Sequence, residues 1–479
     1  MIRHLAPCLL SLLAIGGACA VHAAAGAAAK PNLVFILADD LGWADPEYQG
    51  AKTCRLHETP NMDRLAAEGM NFERFYPGAA NCAPARACLL TGMYMPRHHV
   101  YLAGGWTGER VEETKMRWKV PKFGADESFN SFQVNVNHVD PKWVSLAEML
   151  KPGGYITARI GKWHIGEDLQ GFDVVSADGT PGNHSNKSYY RDNDVTDRMT
   201  DAAIDFLTQN RDRPFFLYLA HWEPHGPLLA REDRIAYYRK KFAALGNTEC
   251  NPIYAAMVEQ VDISTGRIME ALGRLGLERN TLVVFSSDNG GGIDLHGTPS
   301  NYPLKAYKGT YYEGGIRTPC IVRWPAVVKP GTRTDYPVNG VDLMPTFAAV
   351  AGVPIPATQP VDGVSILPLL EGRTLPERAT FFHFPLYLGG TPLPVTWGDR
   401  RARWRAVPLT TVMRGDWKLI HYYEYDRQEL FNLREDPGEH HDLSASHPEQ
   451  ARKLLAELRA WTKAVNAPIP SVRNERFEP

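Results

Sequence analysis

Four short polar clusters hold the residue types that do chemistry, and each follows a run of apolar residues. Asp39-Asp40 follows 32–38, Lys162-Trp-His164 follows 155–160, His221-Trp-Glu-Pro-His225 follows 214–220, and Asp288-Asn289 follows 281–287. An aspartate after a strand ordinarily caps the next helix. Two such pairs, Asp39-Asp40 and Asp288-Asn289, at two strand ends argue for more. Asp39, Asp40 and Asp288, joined by the amide oxygen of Asn289, would repel one another unless a cation sat among them. An oxygen-only set suits a hard ion such as Ca²⁺ or Mg²⁺. The sharpest signal is Cys82-Ala-Pro-Ala-Arg86. Pro84 is placed to start a helix and Gly92 to stop it after Thr91. Cys82 then stands at a helix N-terminus with Arg86 one turn later on the same face, and an N-terminus beside a guanidinium attracts an anion. Cys88, inside the same helix, reads as a buried small hydrophobe.

The elements that must position these groups follow from the apolar pattern. The four runs are continuous rather than alternating, as in strands buried on both faces. Helical patterns at 144–151, 196–210 and 254–275 lie between them. The alternation predicts an α/β fold: a large, mostly parallel mixed sheet sandwiched by helices, with a site beyond the carboxyl ends of its strands. After about residue 375 the pattern changes. Strands at 380–384, 409–413 and 417–423, a capping box at Ser446-His-Pro-Glu449 and a final helix with Ala451, Leu454, Leu455, Leu458 and Trp461 on one face predict a smaller antiparallel sheet plus helix. The expected organisation is a catalytic domain at 30–375 and a C-terminal subdomain at 376–479.

Composition narrows the class. The 479 residues are 44% hydrophobic and 22% charged, an ordinary globular balance. With 52 basic against 54 acidic residues the net charge is −2, so neither a nucleic-acid partner nor a polybasic membrane contact is expected. Residues 1–25 read as an export signal: Arg3 and His4, an apolar stretch from 5 to 17, then small-residue sites near Ala20 and Ala25. No stretch is long enough to span a bilayer, and the expected location is the periplasm or the exterior. Cys19 could carry a lipid. Five of the seven cysteines follow the signal, an odd number, and a core this large needs no disulfide framework. Pairing among Cys54, Cys88, Cys250 and Cys320 stays open.

The motifs resemble those of the type I sulfatases, members of the alkaline phosphatase superfamily. Cys82-Ala-Pro-Ala-Arg86 with Leu89-Leu-Thr-Gly92 is similar to the family's C-x-P-x-R…LLTG signature. Gly161-Lys-Trp-His-Ile-Gly166, Pro224-His-Gly-Pro227, Lys308-Gly-Thr-Tyr-Tyr-Glu-Gly-Gly-Ile-Arg317 and Asp436-Pro-Gly-Glu439 resemble further blocks in the same order, nearly end to end. The resemblance implies that Cys82 is oxidised to Cα-formylglycine by a formylglycine-generating enzyme, and that Asp39, Asp40, Asp288, Asn289 and the modified Cys82 bind one Ca²⁺. It implies that the aldehyde hydrate attacks sulfur. Arg86 and Lys162 would then hold the hydrate, His164 take its second proton, and His225 and Lys308 grip the sulfate and protonate the leaving oxygen. Position 85 is Ala where many members have Ser, which the family tolerates. His221 has no family role and reads as a structural histidine. Metal ligation by His98-His99 is not expected.

The reading that follows is a sulfatase acting on a sulfated carbohydrate or aryl sulfate. Phosphonate or phosphate ester hydrolases of the superfamily share the Cys motif and the carboxylates, and an unmatured sulfoglycan-binding protein is a non-enzymatic alternative. The set Lys162, His164, His225 and Lys308 favours sulfate. The stretch 105–142 carries Trp106, Arg110 and Trp118, with Trp143 next to it; its charges cancel, and its aromatics read as packing in preference to sugar stacking. The stretch 387–405 carries Trp and Arg and is expected to approach the pocket from the C-terminal side.

Overall fold

The computed structural model describes residues 30–50, 57–102, 113–121, 136, 138–166, 170–180, 192–247, 250–292, 301–389 and 404–478. The segment 1–25, Cys54, Trp106, Arg110 and most of 387–405 lie outside them. Eight strands form the main sheet: β1 (Asn32–Asp39), β2 (Met70–Phe72), β3 (Ile156–Gly161), β4 (Val174–Ser176), β5 (Phe215–Pro224), β6 (Thr281–Ser287), β7 (Cys320–Arg323) and β8 (Thr332–Thr334). Their order is β4-β3-β5-β1-β6-β7-β2-β8, with only the pairs β6–β7 and β7–β2 antiparallel. The four runs read as strands are thus the adjacent, parallel centre of the sheet. β1 is buried at every residue, which explains its unbroken apolar sequence.

Successive side chains of β1 enter opposite cores. Val34 and Ile36 pack with Met199, Phe206, Val258 and Leu272 from the helices Val195–Gln209 and Pro252–Arg274. Leu33, Phe35 and Leu37 pack with Leu90 of the helix Cys82–Thr91 and with Phe347 of the helix Leu343–Ala351. The Cys82 helix has a second set of neighbours: Ala85 and Cys88 on its other side join the core of the C-terminal sheet. All ten of its residues are buried, so it lies wedged between two sheets, and this is why its sequence shows no polar stripe.

The smaller sheet comprises β9 (Ala379–Phe384), β10 (Leu409–Arg414), β11 (Trp417–Tyr422) and β12 (Arg427–Asn432), all antiparallel. β12 was not expected as a strand, because charged and amide residues at its start hide the alternation that its partner β11 enforces. The final helix spans Pro448–Ala464, and Trp461 stacks on Phe381 with ring centroids 4.4 Å apart. The predicted capping box is absent. The helix begins at Pro448 with His447 as its cap, so Ser446 lies one residue too early and bonds Leu443 O and His447 Nδ1 instead. The helix read over 144–151 is shorter, Leu146–Leu150, and is closed by a box between Ser145 and Glu148. β5 continues past residue 220 to Pro224, so His221 lies within the strand, fully buried against Ser264 Oγ at 3.2 Å. Burial pushes His221 down to about 3, which keeps it neutral and structural. Cys88, Cys250 and Cys320 are buried free thiols.

Candidate active site

The carboxyl ends of β1, β3, β5 and β6 lie level. Ala38 pairs with Ser287, and Leu37 and Gly161 both pair with Ala220. The next residues along each strand therefore converge on one floor, and the Cys82 helix and the loop of Lys308 close it from above. Asp39, Asp40, Cys82 and Asp288 offer ligand atoms that all lie within 4.8 Å of one another, and all four residues are buried. The backbone is bent to achieve this. Asp40 and His164 have φ of 65° and 70°, left-handed conformations that L-residues adopt at a cost and that cluster at active sites. Gly161, at φ 101°, has no alternative, since a Cβ there would lie 1.9 Å from Ala220 O.

Each carboxylate has a basic partner. Lys162 donates to Asp39 Oδ2, Arg86 Nε to Asp288 Oδ2 at 2.8 Å, and Lys308 Nζ to Asp40 Oδ2 at 2.8 Å. Arg86 also donates to Lys162 O at 2.8 Å, which ties the helix to the end of β3. Lys308 Nζ reaches Cys82 Sγ at 3.1 Å, so the lysine bridges the metal-type carboxylates and the cysteine. Burial alone would raise Asp39 and Asp40. Lys162, with His225, Arg86 and Lys308, outweighs it and holds Asp39 well below the usual range; Lys308 and His225 do the same, more weakly, for Asp40. Asp288 goes the other way, pushed up to about 7 by burial and the neighbouring Asp39 despite Arg86.

Three carboxylates against three cations leave the cluster formally neutral, yet it has acceptors to spare. Asp39 Oδ1 and Asn289 Oδ1 are buried without a hydrogen bond, and Arg86 stands 3.8 Å from the former. Asn289 donates through Nδ2 to Asp40 Oδ1 at 2.7 Å, which aims its oxygen away from that contact. Spare, buried, oxygen-only acceptors fit a hard divalent cation, and its charge would also bring Asp288 down.

The cysteine is a poor nucleophile as it stands. Burial pushes the Cys82 thiol up to about 12 in spite of Lys162 and Lys308, so the thiolate is scarce at neutral pH. Both site histidines are suited to accept protons. His164 is held well below its ordinary value by burial and then by Lys162 and Arg86, and its Nδ1 is unpartnered. His225 is lowered by burial and Lys308. Its Nδ1 lies 2.6 Å from Gly226 O and must donate there, leaving Nε2, 3.7 Å from Asp40 Oδ2, as the acceptor facing the site.

All the residues singled out in the sequence, Asp39, Asp40, Cys82, Arg86, Lys162, His164, His225, Asp288, Asn289 and Lys308, thus belong to one neighbourhood. His98 stays apart: its Nε2 lies 3.4 Å from Cys88 Sγ, and burial makes it neutral. Trp118 donates through Nε1 to Tyr423 O at 3.1 Å, a packing role. Sequence reasoning missed Asn301, whose side chain bonds both N and O of Gly291 at 3.0 Å; Gly291 O in turn accepts Lys308 N at 3.1 Å. The triplet Gly290-Gly-Gly292 was the available signal, since a Cβ on Gly290 would lie 1.8 Å from Gly314 O.

The chain is similar to known proteins over most of its length. Residues 31–353 match the sulfatase family model, and residues 307–466 match the model described as N-sulphoglucosamine sulphohydrolase, C-terminal. The chain is 31% identical to the N-acetylgalactosamine-6-sulfatase of Mus musculus over 88% of this chain and 83% of that protein. It superposes on the crystal structure of Ps i-CgsB in complex with k-i-k-neocarrahexaose with a TM-score of 0.71 and 28% identity, over 92% of this chain and 94% of that one. The phosphonate monoester hydrolase of Agrobacterium radiobacter shares the fold at a TM-score of 0.63 and 20% identity, over 91% and 96%.

Proposed function

The chain belongs to the sulfatase family, and we propose that it hydrolyses the sulfate monoester of a carbohydrate with Cys82 matured to formylglycine and Ca²⁺ held by Asp39, Asp40, Asp288 and Asn289. The observation that carries this reading is the buried cluster itself: three carboxylates around a cysteine that is inert as a thiol, with the oxygens Asp39 Oδ1 and Asn289 Oδ1 left without a hydrogen bond. Bound there, the cation would act as a Lewis acid and the hydrated aldehyde would supply an oxygen nucleophile that the buried thiol cannot. The chain's own residues do the rest. Arg86 holds the helix N-terminus against Asp288 and β3, which fixes position 82. Lys162 and Lys308 neutralise charge on the sulfate oxygens. His164 and His225 are neutral and each has a ring nitrogen free to move a proton, His225 on the side of the leaving oxygen.

Charge alone does not separate sulfate from phosphate here, so kinetics must. The expected result is a higher kcat/KM on at least one sulfated mono- or oligosaccharide than on aryl phosphate or an aryl phosphonate ester. Preference of the fully matured enzyme for a phosphorus ester over every sulfate ester would overturn the assignment. The reading also makes the chain an exported protein, periplasmic or secreted, with residues 1–25 removed; N-terminal sequencing of protein recovered from outside the cytoplasm checks this.

A further inference from the structure

The two acidic pairs of the candidate metal site stand at the ends of adjacent strands, β1 and β6, and 248 positions of chain separate Asp40 from Asp288. Their carboxylates repel, so the surrounding structure must hold the two strand ends at ligand distance. Asp40 adds to the demand. Its φ of 65° persists only where neighbouring contacts impose it.

Two hydrogen bonds between the pairs engage oxygens of the ligand set itself. Asp40 N donates to Asp288 Oδ1 at 3.3 Å, and Asn289 Nδ2 donates to Asp40 Oδ1 at 2.7 Å. A further link engages none of them. It runs through Ser287, the last residue of β6, which pairs with Ala38. The Ser287 hydroxyl accepts from Leu41 N at 3.0 Å and donates to Asn289 O at 3.0 Å. One fully buried hydroxyl thus grips the backbone just past Asp40 and the backbone of Asn289. The turn is fixed again one residue on, where Gly42 N donates to Asp45 Oδ2 at 2.6 Å and Tyr254 OH donates to the same oxygen.

Ser286 supplies the contrast. It is as deeply buried, but successive strand residues face opposite sides. Its hydroxyl donates to Pro319 O at 2.9 Å, beside β7, and makes no hydrogen bond to either acidic pair.

We propose that Ser287 is a positioning residue for the metal centre, its hydroxyl setting the separation of the two acidic pairs and so the affinity for Ca²⁺. The inference rests on the Ca²⁺ reading of the cluster. Ser287 is not counted among the ligands, since its hydroxyl is already engaged as donor and as acceptor.

The test uses the full-length, matured enzyme, stripped by a chelator and titrated with Ca²⁺ in a calorimeter, with the urea midpoint of the metal-free protein measured beside it. Ser287→Ala removes both bonds and should raise the Ca²⁺ dissociation constant about tenfold or more. The Ca²⁺ concentration giving half-maximal activity should rise by the same factor. Ser286→Ala deletes a neighbouring buried hydroxyl, so it should lower the metal-free midpoint as Ser287→Ala does while keeping Ca²⁺ affinity within about twofold of wild type. Ser287→Cys keeps the size with a weaker donor and should raise the constant about threefold; it decides the matter should Ser287→Ala not fold. Wild-type protein that takes up no Ca²⁺ overturns the metal reading and this proposal with it. Wild type that binds, beside Ser287 variants that bind within about twofold of it or no worse than Ser286→Ala, overturns the proposal alone.

Discussion

Two clusters of charge are buried in this molecule, and they differ in what they leave unsatisfied. The first is the catalytic floor. The second joins the main body to the C-terminal sheet: Lys418 on β11 donates to Glu313 Oε1 at 2.9 Å and pairs with Glu439 Oε1 at 2.8 Å, all three side chains being fully buried. Tyr76 OH donates to Glu313 Oε2 at 2.9 Å, and Glu313 N to Glu439 Oε2 at 2.6 Å. Each carboxylate oxygen of that triad has a donor atom within 2.9 Å, Glu439 Oε1 through its ion pair with Lys418 in place of a hydrogen bond. The catalytic cluster, built from the same residue types, retains two enclosed oxygens with none. The lesson is that buried charge by itself marks no active site; unmet acceptors at converging strand ends do. The two clusters are also linked, since Glu313 lies five residues from Lys308 and Gly314 N bonds Lys305 O at 2.8 Å.

The sharpest way to break the comparison is Cys82→Ala. Turnover should fall by roughly 10³-fold or more, while the unfolding midpoint stays near wild type, because the helix is held by Arg86 on Asp288 and Lys162 O and by its apolar residues, not by the thiol. An equal loss of stability would mean position 82 is structural, like the triad. Next is metal removal. Chelation followed by dialysis should abolish activity and lower the midpoint, with Ca²⁺ restoring both, and Asp288→Ala should do the same without rescue. The triad does not hold the metal, so Lys418→Met should cost about 3–5 kcal/mol in urea unfolding, the usual result of leaving a buried charge unpaired, and that cost should be the same with and without Ca²⁺.

The smallest effect is a pH slope. Burial pushes Glu439 up to about 7 in spite of Lys418, while Glu313 is held below its ordinary value by Lys418 and Arg317. A carboxyl whose folded value lies above its unfolded one adds stability that is fully present at low pH and lost as pH rises through about 7. Glu313 acts in the opposite sense but only below the ordinary glutamate range. Between pH 5 and 8, Glu439→Gln should therefore flatten the fall of stability with rising pH by about 1–3 kcal/mol. A slope identical to wild type would place the proton elsewhere.

Much of this was legible in the residue order because the main sheet is parallel. Strands such as 32–38 are buried on both faces and announce themselves as unbroken apolar runs, and the chemistry falls at their ends. The same logic brought Asp39, Asp40, Asp288 and Asn289 together from four positions on two strands. What stayed hidden depends on partners distant in sequence. Lys418 reads as an ordinary polar residue in an alternating strand until Glu313 and Glu439 close on it. Asn301 and β12 acquire meaning only from what they bond. The misplaced cap at Ser446 was an error of one residue, enough to break a device that depends on register.

The central claim is that Cys82 works as an aldehyde, and mass spectrometry of the peptide spanning residues 80–90 from active enzyme tests it directly. The account predicts the mass of formylglycine at position 82, with labelling by a hydrazide reagent in proportion to specific activity. Fully active enzyme in which position 82 is wholly the unmodified thiol would contradict it.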